Sequence, residues 1–171
     1  MNTKKMILAN IGSGSSYLPD IAEMLIERKD TMKVAEWRLM DIDEYRLRCT
    51  GRYVQKMFEE AGMETVITMT TELKEAVKDC DFVITTIRPG MSEARNMDET
   101  IPFKYGLIGQ ETTAPGGMLM GFKTIPAMLE IAHTMEEVSK PDAYLINLAN
   151  PSGMVGEALN RHSKVKYACL C

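Results

Sequence analysis

Apolar residues in this chain fall into short unbroken runs, separated by segments in which they recur every three or four positions. That alternation is the signature of buried strands joined by amphipathic helices. The first run, beginning at Met6, is a strand that breaks at Gly12. Pro19 suits the first turn of a helix reaching about Arg28, with Ile21, Met24, Leu25 and Arg28 at helical spacing. A second strand, Glu36 to Ile42, ends near Asp41, and a long helix over Glu44–Glu60 is stopped by Ala61-Gly62. Glu64–Met69 alternates as a third strand, Thr71–Asp79 is a short helix, and Asp81–Ile87 is a buried fourth strand. Phe122 to about Ser139 is a helix whose inner face carries Ile125, Leu129, Ala132 and Met135 or Glu136. A fifth strand opens at Ala143, Pro151 starts another helix, and Lys164–Cys171 is a sixth strand. This rhythm predicts an α/β fold, a doubly wound, mostly parallel Rossmann-like sheet with helices on both faces, as one domain over residues 1–171.

Composition narrows the picture in three ways. A net charge of −4 gives nucleic acid or an anionic membrane nothing to attract. No apolar run approaches the ~20 residues a bilayer span needs, and Met-Asn-Thr-Lys-Lys5 carries no leader core, so the expected compartment is the cytoplasm. Cys49, Cys80, Cys169 and Cys171 form no disulfide framework and are expected to be reduced. The 15 methionines read as core filler.

The candidate chemistry gathers where strands end. After the first strand, Gly12-Ser13-Gly14-Ser15-Ser16 precedes a helix, which suits a cofactor pyrophosphate: glycine allows close backbone approach and a helix N-terminus offers free N–H groups. Tyr17 stands where a third fingerprint glycine would be, and a tight turn that needs glycine for conformation alone is the other reading. Asp41 is preferred, as first after the second apolar run, to accept from an adenosine ribose, which favours NAD over NADP; Asp43 is the competing candidate for that contact, its other reading being the cap of the following helix. Beyond the fourth strand, Arg88 and Arg95 lie seven residues apart, close to one face of a helix, and suit one dianion. A solvated helix with Arg95 paired to Asp98 or Glu99 is the alternative. Lys104–Gly121 reads as a lid or binding loop in which Glu111 is the sole carboxylate and the acid/base candidate, with a loop carboxylate of no catalytic duty equally open. Asn150, held extended before Pro151, points amide groups toward the cleft, to a nicotinamide ribose or a substrate hydroxyl. His133 reads as a surface or packing histidine.

Taken in order, Gly12-Ser-Gly-Ser-Ser-Tyr17, Asp41-Ile, Arg88 through Arg95 to Asp98-Glu-Thr-Ile-Pro102, Ile108-Gly-Gln-Glu-Thr112, Pro115-Gly-Gly117, Asn150-Pro-Ser-Gly153 and Cys169-Leu-Cys171 resemble the NAD-dependent family 4 glycoside hydrolases, with the greatest likeness to the 6-phospho-β-glucosidases. The resemblance covers the whole chain, and the Gly-Gln-Glu-Thr and Pro-Gly-Gly segments are its most specific part.

The resemblance implies cleavage of phosphorylated glycosides by a route unlike two-carboxylate hydrolysis. NAD and a divalent metal, typically Mn2+, support oxidation at C3, elimination across C1–C2, water addition and re-reduction. By motif position it implies that Gly12 to Ser16 and Asp41 hold the cofactor, that Asn150 contacts a substrate hydroxyl, and that Arg95, with Arg88, meets the sugar 6-phosphate. It places Glu111 near the leaving group and makes Cys171 a metal ligand. The family's remaining metal ligand and its base follow this cysteine in a carboxyl-terminal substrate domain absent here, so the resemblance also implies an amino-terminal portion, inactive alone, that self-associates through apolar surface. Neither His133 nor His162 matches a ligand motif. Other readings are a 6-phospho-α-glucosidase or α-galactosidase of the same family, and an NAD-dependent 2-hydroxy-acid dehydrogenase.

Overall fold

In the computed structural model, which describes residues 5–171, one sheet of six strands runs through the molecule. The leader-free reading of residues 1–4 lies outside the described residues. The strands are β1 (Met6–Ile11), β2 (Val34–Met40), β3 (Val66–Thr70), β4 (Phe82–Thr85), β5 (Tyr144–Asn147) and β6 (Lys166–Cys169). Every neighbouring pair is parallel and the spatial order is β3-β2-β1-β4-β5-β6. Chain order therefore reverses between β1 and β4, which opens a crevice beyond their carboxyl ends where α/β folds place ligands.

The helices are α1 (Leu18–Glu27), α2 (Glu44–Glu60), α3 (Leu73–Val77), α4 (Met91–Thr100), α5 (Ala114–Val138) and α6 (Ser152–His162), with a 3₁₀ turn over Ile101–Tyr105. Asp43 caps α2 by accepting from Arg46 N at 3.0 Å, and Gly62, at φ +64°, takes the chain out of that helix. Two apolar layers sandwich the sheet. On one face, Leu18, Ile21 and Leu25 of α1 and Leu47, Val54 and Phe58 of α2 close over Leu8, Trp37 and Leu39. Trp37 is fully buried, its ring 5.5 Å from that of Phe58. On the other face, Ala76 and Val77 of α3, Met128, Ile131 and Met135 of α5, and Val155 and Leu159 of α6 cover Ala9, Val83 and Leu145. The expected inner face of α5 is rotated slightly: Met128, Ile131, Ala132 and Met135 are buried, while Ile125 and Leu129 flank them.

Two expectations are corrected. The glycine-rich stretch expected as a loop over Lys104–Gly121 is irregular only from 106 to 113, because α5 already begins at Ala114. Its glycines serve close approach instead of flexibility. A Cβ on Gly116 would run into the Gln110 carbonyl and one on Gly117 into the Thr112 backbone, so the helix start lets the loop lie flat against it. Likewise Arg88 is not on a helix with Arg95: α4 starts at Met91, after Gly90 turns the chain at φ +79°.

Candidate functional site

The glycine turn sits at the end of β1, folded back over the end of β2. Gly12 N and Ser13 N both donate to Met40 O at 2.9 Å, and Gly14 N donates to Asp41 Oδ2 at 2.7 Å. The N–H groups expected to be free for a pyrophosphate are therefore in use at these three positions, because the turn lies over the last carbonyl of β2 and against the Asp41 carboxylate. Gly12 has φ +91°, and a Cβ there would lie 2.8 Å from the Thr86 carbonyl carbon, so this position excludes any side chain on two counts. Around the turn, Thr86 Oγ1 donates to Gly12 O at 2.9 Å, Thr50 Oγ1 to Ser13 O at 2.6 Å, and Arg46 Nη2 to Gly14 O at 3.0 Å. The Ser13 hydroxyl is buried and faces inward, donating to Asn10 O at 2.7 Å. Ser15 is half-buried and Ser16 exposed, so they form the outer wall of the turn.

Asp41 does more than the sequence suggests. One oxygen takes Gly14 N and the other takes Asp43 N at 2.9 Å, so the carboxylate ties the turn to the start of α2. A Cβ on Gly14 would lie 2.9 Å from Asp41 Oδ2, which explains glycine there as close approach.

Arg88, Arg95 and Glu111 come together from three segments. Arg88 Nη2 lies 2.5 Å from Glu111 Oε1 and Arg95 Nη2 lies 3.5 Å from Glu111 Oε2. Arg95 Nε also donates to Glu99 Oε1 at 2.6 Å, one helical turn along α4. Glu99 and Glu111 hold the Arg95 guanidinium above its ordinary value. The paired arginines and the pairing of Arg95 within its own helix thus coexist. Behind them, the buried Asp98 carboxylate accepts from Lys123 Nζ at 2.6 and 2.7 Å and ties α4 to α5.

At the end of β5 the two asparagines separate in role. Asn147 is buried: its Oδ1 accepts from Thr85 Oγ1 and Ala149 N, each at 2.9 Å, and its Nδ2 donates to Ala149 O at 2.9 Å. It shapes the turn that presents Asn150, which is half-buried and precedes a cis bond to Pro151. Cys171 is an exposed thiol two residues past β6. His133 Nε2 lies 2.8 Å from His162 O, a packing contact between α5 and α6.

Sequence reasoning missed Arg46, Thr50 and Thr86 around the turn, the buried Asn10 beneath it, and the Asp98–Lys123 tie. These depend on contacts across distant segments and leave no local signal. Glu99, one of the two partners expected for Arg95, is the one that pairs with it, four residues along the helix.

The residues present fit a dinucleotide. A glycine turn stands at the reversal of strand order with a carboxylate at the next strand end, and Asn10 Oδ1, buried under the turn, has no hydrogen-bond partner among the described residues. They do not make up a Mn2+ site. Among the described residues no three His, Cys, Asp or Glu side chains gather to hold an ion, and an exposed thiol is a soft donor for a hard cation.

Comparison with known proteins places the fold and the family. A probable 6-phospho-beta-glucosidase of Bacillus subtilis (strain 168) is 47% identical over 166 residues, which is 96% of this chain and 37% of the relative. A solved 6-phospho-alpha-glucosidase from gut microorganisms, in complex with NAD and Mn2+, superposes with a TM-score of 0.92 at 32% identity, covering 98% of this chain and 39% of that one. The 6-phospho-beta glucosidase of Thermotoga maritima, with NAD and glucose-6-phosphate, gives a TM-score of 0.89 at 32% identity over 98% of this chain and 40% of its own. The chain thus spans about two fifths of the length of these relatives. Residues 7–171 match the model of the family 4 glycosyl hydrolases, and the chain belongs to that family.

Proposed function

We propose that residues 1–171 form the NAD-binding domain of a 6-phospho-β-glucosidase-type enzyme. The observation that carries this reading is the braced glycine turn at the β1/β4 reversal, with Asp41 at the neighbouring strand end. Bound there, NAD supplies a reversible two-electron acceptor. Gly12 and Gly14 keep the turn tight against Thr86 and Asp41 beneath the cofactor, Ser15 and Ser16 line the outer turn, and Asp41 meets the adenosine ribose while bracing Gly14. Arg88 and Arg95 bind the sugar 6-phosphate, Asn150 a sugar hydroxyl, and Glu111 moves a proton at the leaving group. Preference for a β-linkage is supported by 47% and 39% identity to two relatives named 6-phospho-beta-glucosidase, against 36% to a maltose-6'-phosphate glucosidase and 34% to a 6-phospho-alpha-glucosidase. We infer that hydrolysis, and a Mn2+ site that Cys171 would join, require polypeptide of the kind its longer relatives possess beyond this match. Alone, the 171 residues bind NAD and do not hydrolyse glycosides.

Four cysteines without a disulfide among them support a cytoplasmic setting. Among the described residues no helix is long and apolar enough to cross a membrane. Self-association is supported by the sheet face opposite α5 and α6, where Phe82, Tyr144, Ile146 and Leu148 extend past the cover of α1 and α2 toward the exposed Leu170.

Isothermal titration with NAD+ and NADP+ tests the cofactor reading. Micromolar NAD+ binding, weakened at least tenfold in Asp41→Asn and exceeding NADP+ binding, is the expected result. A folded chain that binds neither dinucleotide, or binds NADP+ more tightly, overturns it.

A further inference from the structure

Resting on the arginine pair of that reading, we propose that Glu111 is a resident anion in the phosphate seat, so that substrate phosphate must displace it and in doing so releases the carboxylate toward the reacting sugar. The side chain bridges both guanidinium groups, at 2.5 Å from Arg88 Nη2 and 3.5 Å from Arg95 Nη2. It fills the seat incompletely. Arg88 Nη1 is buried with no hydrogen-bond partner among the described residues, and Glu111 Oε1, for all its closeness to Arg88, makes no aligned hydrogen bond. A carboxylate has two oxygens in one plane and a single charge. A phosphate monoester presents three oxygens in three directions and nearly two charges, so it can take the Nη1 donor that Glu111 leaves unmet.

The exchange needs only a small movement. Glu111 belongs to the irregular segment 106–113, which is pinned on both sides: Gly109 lies so close to the Glu99 backbone that a Cβ would collide, and Thr113 leads directly into α5. Between those anchors the Glu111 side chain can swing while the loop stays in place. Arg95 keeps Glu99 as a second partner throughout, so its guanidinium stays oriented when Glu111 leaves. An acid/base group near the leaving group would then be released only when a phosphorylated sugar is seated, and an unphosphorylated glycoside would leave it tied to the arginines.

The test uses the 171-residue chain and inorganic phosphate as probe, followed by NMR of backbone amides 109–113 and of the 13C-labelled Glu111 carboxyl. In the wild type, phosphate is expected to shift the carboxyl resonance and these amides with one common midpoint. Glu111→Gln should bind phosphate about three- to tenfold more tightly, the range set by removing one or two competing, partly exposed ion pairs. Arg95→Ala should lose the response, which separates this seat from phosphate bound at the glycine turn. Phosphate affinity unchanged or weakened in Glu111→Gln, a carboxyl resonance that ignores saturating phosphate, or binding that survives Arg95→Ala overturns the proposal. NAD+ titration of the same samples reads the cofactor site separately, so failure of one reading is not mistaken for failure of the other.

Discussion

Replacing Asp41 separates its bracing role from any cofactor contact, because the brace exists without a cofactor. Its carboxylate accepts from Gly14 N at 2.7 Å in partly buried surroundings and from Asp43 N at 2.9 Å in exposed ones. A hydrogen bond to a charged acceptor contributes about 1.5–3 kcal/mol when buried, and water replaces much of an exposed one. We therefore assign about 1.5 kcal/mol to the Gly14 contact and about 0.5 kcal/mol to the Asp43 contact, so Asp41→Ala should cost about 2 kcal/mol. Asp41→Asn keeps one acceptor and turns an amide group toward the other N–H, at about 1 kcal/mol. For a domain of this size 2 kcal/mol lowers Tm by about 4–8 °C. Urea unfolding without NAD+, followed by circular dichroism at neutral pH, measures both variants. If Asp41→Ala unfolds within about 0.5 kcal/mol of the wild type, the brace contributes nothing and the reasoning fails.

Further expectations follow from the same geometry. Gly12→Ala combines a left-handed backbone with a Cβ 2.8 Å from the Thr86 carbonyl carbon and should lose about 3 kcal/mol in urea unfolding; an unchanged midpoint would contradict it. Asp98→Ala leaves Lys123 without its partner across α4 and α5. Because Lys123 is about one-third exposed and rehydrates in part, the expected cost is about 2 kcal/mol, below the range for fully buried pairs. Burial pushes the Cys80 thiol from 9.0 up to about 11. Between those values the folded chain holds a proton that the unfolded chain has lost, so this residue's stability contribution is full below pH 9 and falls by about 1.4 kcal/mol per pH step until about pH 11. The pH 8 to 10.5 loss in urea midpoint should be smaller in Cys80→Ala than in the wild type; equal losses would refute the assignment. Light scattering should find the chain larger than a monomer, with Leu170→Lys shifting it toward monomer if the open sheet face mediates association.

Much of this architecture is written in local chemistry. Strand runs such as Met6–Ile11 and Phe82–Thr85, the Asp43 cap and the glycine after α2 each act over a few residues, so sequence alone placed all six strands and five of the helices close to where they lie. The glycine turn and the carboxylate after β2 were legible for the same reason: both are punctuation at the end of an apolar run. Tertiary contact decided the rest. Gly116 and Gly117 read as loop formers because glycine weakens an isolated helix, yet here that local cost is offset by letting a loop pack flat against α5. The N–H groups of Gly12 and Ser13 were expected to be free, but the fold brings Met40 O within 2.9 Å of both. Arg88 and Arg95 meet at Glu111 although only Arg95 lies on α4. Sequence by itself determined which segments are strands and helices and which strand ends carry reactive side chains, because those preferences are local. Which charges share a partner, and which donors are already taken, only the tertiary structure decided, because both depend on atoms brought together from segments far apart along the chain.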